Sequence, residues 1–196
     1  MVFLFIYSIH ILLSVLKFMS VNIIYKNVSF KKNFGNEVLF VDEKFSILSL
    51  KKYISVSEFA YISDLLKTNN NKKNIISYDI SSKRKIILVS TKKKLKPSDF
   101  ETLGASFYNY FKNTKQSNFT INTDTITNIY KDLIGYFLHG IKLKSYIFEK
   151  YKSKKEKKNI TINVIGKNKP SAKDQQKFKA IENGTFFARD LVSEPG

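Results

Sequence analysis

Residues 85–111 read KIILVSTKKKLKPSDFETLGASFYNYF, and the hydrophobic period changes part-way along. Lys85–Ser90 is continuously apolar and β-branched, the pattern of a strand buried on both faces inside a sheet. Pro97 and Ser98 then open a segment in which Phe100, Leu103, Phe107, Tyr110 and Phe111 recur at three and four, the stripe of a helix lying on that sheet. A buried strand followed by an amphipathic helix is the building unit of an α/β fold.

The same alternation continues to either side. Val21–Phe30 and Glu37–Val41 are predicted strands, parted by the turn residues Asn33, Gly35 and Asn36. Ser57 is the expected cap of a helix over Glu58–Lys67, with Phe59, Ile62, Leu65 and Leu66 inward and Asn69–Lys73 as the loop that ends it. Asn74–Ile80, Phe119–Asn122 and Asn159–Ile165 are further strands. A helix is expected from Thr125 to Gly140, with Ile126, Ile129, Leu133, Phe137 and Leu138 inward, Asp124 near its start and Gly140 as its stop. After the breaker Pro170, a last helix runs from Ser171 to about Val192. This order predicts an α/β domain with a mixed or largely parallel sheet flanked by helices, and no internal repeat.

The 196 residues suit one domain with appendages, and 43% hydrophobic and 14% aromatic residues supply a sizeable core. With no cysteine, disulfides, thiolate zinc sites and a cysteine nucleophile are excluded. The 34 basic against 16 acidic residues give a formal charge of +18, which attracts nucleic acid or anionic lipid. The excess is nearly all lysine, accompanied by asparagine and isoleucine, as an A/T-rich coding bias produces; specific phosphate or base recognition recruits arginine forks instead.

Residues 1–18 stand apart. Val2–Leu16 (VFLFIYSIHILLSVL) falls short of the roughly 20 apolar residues of a spanning helix. It also lacks the basic start and small-residue cleavage site of a secretory signal. Met19 opens MSVNIIYKNVSF, the ordinary beginning of a soluble domain, so translation is expected to start there; a membrane anchor is the alternative.

Candidate chemistry is sparse. Asp42, Glu43, Asp79, Asp99, Glu101 and Asp124 lie at strand ends or helix starts, where capping and solvation account for them. His10 and His139 are the only histidines, neither at metal-ligand spacing. The seven glycines form no phosphate-binding motif, and Gly166–Pro170 (GKNKP) reads as a turn. No catalytic, cofactor-binding or metal-ligating residue is expected in this chain. Lys92–Lys96 and Lys150–Lys158, interleaved with Tyr146, Phe148 and Tyr151, supply the one other class: a basic stacking surface for nucleic acid, against the simpler reading of solvated charge runs.

Two stretches carry a resemblance. The first, from Gly140, reads GIKLKSYIFEKYKSKKEKK, with Tyr146, Phe148, Glu149, Lys150, Tyr151 and Lys152 as its phrase. The second, AIENGTFFARDLVSEPG, contains Ala188, Arg189, Asp190, Leu191, Val192, Ser193, Glu194 and Pro195. In order and spacing they resemble the leucyl (cytosol) aminopeptidase family, at the end of its amino-terminal domain and in its connector helix, with Ser193 where asparagine is usual.

The resemblance implies a macro-domain-like α/β fold credited with oligomer contacts and with limiting access to active sites. It implies a cytoplasmic, usually hexameric enzyme that removes amino-terminal residues from peptides using two zinc or manganese ions. The metal ligands, catalytic lysine and catalytic arginine of the family lie in a carboxy-terminal domain. On this reading residues 1–18 are an extension, 19–168 the amino-terminal domain, and 169–196 the connector helix and the start of a missing catalytic domain. The expected partners are that catalytic domain and further copies of the chain, with peptides reached only through the missing domain. Nucleic acid is the weaker alternative, and a membrane requires residues 1–18 to be retained. Macro domains elsewhere bind ADP-ribose, but no acid and glycine-rich loop set supports that here.

Overall fold

Six strands join in one sheet in the computed structural model, which describes residues 21–27, 35–68, 73–148, 150–151 and 159–194. They are β1 (Val21–Tyr25), β2 (Asn36–Asp42), β3 (Ile75–Ser81), β4 (Arg84–Thr91), β5 (Asn118–Asn122) and β6 (Ile160–Ile165), in spatial order β1-β6-β5-β2-β4-β3. Only the β3–β4 hairpin pairs antiparallel; β1–β6, β6–β5, β5–β2 and β2–β4 are parallel. Four α-helices follow the strands: α1 (Val56–Thr68), α2 (Pro97–Phe111), α3 (Ile134–Lys144) and α4 (Ala172–Ser193). The extension 1–18, the turn around Asn33, most of Asn69–Lys73, Glu149 and the run 152–158 lie outside the described residues, as do Pro195 and Gly196.

Alternation along the central strands sorts the core into two layers. Val38 and Phe40 of β2 and Ile87 and Val89 of β4 join Phe100, Phe107, Phe119 and Phe137 on the α2–α3 side. Leu39, Val41, Ile86 and Leu88 join Leu50, Ile54 and Ile62 on the α1 side. Both sides of β4 are therefore buried, which is why Lys85–Ser90 shows no polar alternation. Each large apolar side chain so buried contributes roughly 1.5–3 kcal/mol relative to exposure.

Three expectations are corrected. Helix α1 starts two residues early: Ser55 Oγ accepts from the Glu58 amide (3.2 Å) while a Glu58 carboxylate oxygen accepts from the Ser55 amide (2.8 Å), a reciprocal capping box that leaves Ser57 inside the first turn. The helix expected over Thr125–Gly140 is broken into 3-10 turns at Thr123–Thr125 and Asn128–Leu133, followed by α3. Here Thr125 Oγ1 accepts from the Phe40 amide (2.9 Å) and donates to the Asn122 carbonyl (2.7 Å). It continues the β2 ladder where pairing with β5 has run out at Leu39 and Asn122, and a threonine so engaged leaves the helix it would have opened. Gly140 is no stop, because α3 continues to Lys144. A Cβ there would lie 1.9 Å from the Glu101 carbonyl oxygen, and one at Gly104 would lie 1.9 Å from that of Phe137. The two glycines let α2 and α3 touch backbone to backbone.

Candidate functional site: the seam between α3 and α4

The two family-like phrases are far apart in sequence and meet in space. Ser171 caps α4 by accepting from the Asp174 amide (3.1 Å), and the helix then runs along α3. Phe178 sits over Gly135, where a Cβ would come within 2.4 Å of the ring, and packs edge-on against Tyr136 at 5.1 Å. One turn on, Glu182 places Oε1 3.1 Å from His139 Nδ1, both buried. Another turn on, Phe186 stacks on Tyr146 at 5.4 Å. Arg189 donates to the Leu143 carbonyl (2.7 Å) and lies over the Tyr146 ring, while Asp190 accepts from the Tyr146 hydroxyl (2.7 Å). At the end of the helix Glu194 accepts from both Lys150 and Tyr151. Positions 178, 182, 186 and 189 lie on one side of a helix of 3.6 residues per turn, which is the physical reason for the spacing of the second phrase.

Burial sets the electrostatics of this seam. Lys142, buried between α3 and β1, donates from Nζ to the Val21 carbonyl (2.7 Å). Desolvation depresses its pKa to about 8, with Glu182 opposing the shift. Burial, reinforced by Glu182, pushes Tyr25 up to about 12. Burial and then the hydrogen bond to Asp190 push Tyr146 to about 12. The hydrogen bonds from Lys150 and Tyr151 hold the Glu194 carboxyl below the ordinary glutamate range.

Five of the acids singled out in the sequence are engaged in structure, each apart from the others. Asp42 Oδ1 accepts from the amides of Lys44 (3.0 Å) and Ser46 (2.9 Å), and Asp99 accepts from the Lys96 amide (2.7 Å). Asp79 pairs with Lys85, and Glu43 lies 3.9 Å from Lys93. Asp124 accepts from the Lys167 amide (2.6 Å), which ties its carboxylate to the Gly166–Pro170 turn; Gly166 has φ +102°. Among the described residues no three histidine or acidic side chains converge, so the donors present do not fit a two-metal centre. At the carboxyl ends of β2 and β5, where open α/β sheets take ligands, Thr125 Oγ1 occupies the Phe40 amide.

Sequence reading missed two buried clusters. Glu182 was hidden in a helix with no other buried residue, so nothing marked it as the partner of His139. The other cluster lies between α1 and the sheet, where Arg84 donates from Nη2 to Glu37 (2.9 Å) and from Nε to Glu58, all three residues buried. Burial raises the Glu58 pKa, but the Arg84 hydrogen bond, the Ser55 contacts and the Arg84 charge together bring it below the ordinary range. Of the aromatic residues offered for nucleic-acid stacking, Tyr146 is covered by Phe186 and Arg189, whereas Tyr151 is exposed.

No sequence profile of a known family matches the chain. Among individual proteins it is similar to a probable cytosol aminopeptidase 1 of Shewanella oneidensis, 29% identical over 124 residues, covering 62% of this chain and 24% of that protein. A probable cytosol aminopeptidase of Clostridium perfringens is 28% identical over 173 residues, covering 84% of this chain and 33% of that protein. In fold it is similar to a tomato leucine aminopeptidase mutant, with TM-score 0.66 and 16% identity, covering 89% of this chain and 38% of that one. The bottromycin maturation enzyme BotP in complex with Mn gives TM-score 0.57 and 11% identity, covering 82% and 32%. The chain thus spans a quarter to a third of the length of the curated relatives it matches. Among the described residues no helix is long and apolar enough to cross a membrane.

Proposed function

We propose that this chain, which resembles the amino-terminal part of the leucyl aminopeptidases in sequence and in fold, is the assembly and access-controlling domain of a dinuclear metal aminopeptidase. The observation that carries the reading is the seam: Tyr146, Lys150 and Tyr151 of the first family-like phrase meet Phe186, Arg189, Asp190 and Glu194 of the second, fixing α4 alongside α3. Residues 19–168 then form the domain proper and 169–196 the connector. A connector held at every turn transmits a fixed orientation to whatever follows it.

Hydrolysis of a peptide by two metal ions requires ligands that hold the ions and lower the pKa of a bound water toward neutrality. Since the donors here do not fit that task, the zinc or manganese ions, the peptide and the catalytic groups belong to the following domain, and no catalytic, cofactor or metal role is assigned within this chain. Its partners are that domain and further copies of the same protein, in the cytoplasm. The other class suggested by the +18 charge, a basic nucleic-acid-binding module, lacks a free stacking platform at Tyr146.

The test compares the 196-residue chain with the full product of its gene on a leucyl anilide, with and without manganese or zinc. Metal-dependent turnover is expected of the full product only. Turnover by the 196-residue chain itself would overturn the assignment.

A further inference from the structure

Helix α4 is amphipathic in reverse. The side facing its own domain carries Gln175, Phe178, Glu182, Phe186, Arg189 and Asp190, whereas the outward side carries Ala180, Ile181, Gly184, Phe187, Leu191 and Val192. At 100° per residue the outward set falls within an arc of about 140°. Exposure rises along it toward the end of the helix: Ile181 45%, Phe187 54%, Leu191 59%, Val192 87%. A Cβ at Gly184 would meet nothing within 4 Å, so the middle of the strip is low and open to close approach. Surface helices ordinarily turn their apolar stripe to the core, and a contiguous apolar strip left in water marks a contact surface.

We infer that this outward side of α4 is the seat of the polypeptide that follows residue 194 in the full product, packed back along the helix; this rests on the reading given under Proposed function. Two observations select that occupant. The chain spans 24% and 33% of its curated relatives, so most of a chain of their length lies beyond α4. Lys150 and Tyr151 hold Glu194 in place, so anything that continues leaves immediately beside Leu191 and Val192, where the strip is most exposed.

These 196 residues contain no cysteine, so thiols introduced among them are read from their own peptides without background. Single substitutions Phe187→Cys and Leu191→Cys, with Asn109→Cys on the exposed side of α2 as control, are labelled with a maleimide and read peptide by peptide by mass spectrometry. In the 196-residue chain all three thiols are expected to react alike. In the full product the two on α4 are expected to slow by about tenfold or more through lost access, with the control unchanged. Equal rates in the full product would overturn the proposal. So would slow labelling of the 196-residue chain that recovers on dilution, which gives the strip to a second copy, or that recovers on removal of residues 1–18, which gives it to the apolar amino terminus. Failure of the peptidase reading shows separately, as a full product with no metal-dependent hydrolysis of the leucyl anilide, whatever the labelling pattern.

Discussion

Gly140→Ala adds one methyl group where α3 meets α2. Its carbon would stand 1.9 Å from the Glu101 carbonyl oxygen and 2.7 Å from its carbon, against a practical minimum near 3.0 Å. Both sides of the contact are backbone, so no side-chain rotation relieves it and the helices must part by about 1 Å, a gap that forfeits a quarter to half of each dispersion contact it opens. Phe107 and Phe137, 5.6 Å apart across this junction, are among the contacts opened. Overpacking of this kind costs about 1–3 kcal/mol, and alanine's better helix propensity returns roughly 0.5–1. A net loss of about 1 kcal/mol, at a urea slope of about 2 kcal/mol/M, lowers the unfolding midpoint by about 0.5 M. Gly184→Ala is the internal control, since the same methyl there meets nothing and should raise stability by roughly 0.5–1 kcal/mol. Adding Gly104→Ala to Gly140→Ala should cost less than the sum of the singles, because helices already parted accommodate the second methyl. An unchanged or raised midpoint for Gly140→Ala would refute the backbone contact.

Three further outcomes follow from buried charge and from the seam. Arg84→Met strands Glu37 and Glu58 and should destabilise by about 3–5 kcal/mol in urea titrations, with most of the loss recovered when both glutamates become glutamine; a mutant within 1 kcal/mol of the parent would contradict the cluster. Lys142, depressed to about 8, binds fewer protons folded than unfolded between there and the ordinary lysine range near 10.4. Stability should therefore rise with pH through that window and be lost as pH falls through about 8, and Lys142→Met should flatten the difference between urea midpoints at about pH 7 and about pH 9.5. Tyr25 and Tyr146, held neutral to about 12, withdraw stability only above about pH 10 and leave that window clear. Tyr146→Phe leaves Asp190 without its donor and should weaken the end of α4 by about 1 kcal/mol, read as faster amide exchange confined to the last turns of that helix.

The strands were legible because this sheet is buried on both faces at its centre: Lys85–Ser90 announced β4, and Pro97 to Phe111 announced α2 at the same bounds the structure gives. What failed was local. Thr125 looks like any helix-opening threonine until β5 is known to end at Asn122, beside an unmet Phe40 amide. Gly140 looks like a stop until Glu101 is known to press against it. Ser55 and Ser57 both precede Glu58, and only the reciprocal bond to the Glu58 carboxylate chooses between them. The seam was half legible. Tyr146, Lys150, Tyr151, Arg189, Asp190 and Glu194 were marked by their resemblance to a family, without any sign that they bond one another across some 44 positions. Glu182 and Arg84 carried no mark, because a buried charge with its partner on another element leaves no periodic trace in one sequence.

The most direct measurement is the intact mass of the natural protein isolated from its own cells. The account predicts a chain about two to three times heavier than 22.7 kDa that begins at Met19 and continues past Gly196 into acids and a lysine able to hold and serve two metal ions. A mature product of 22.7 kDa, carrying residues 1–18 and ending at Gly196, would contradict it.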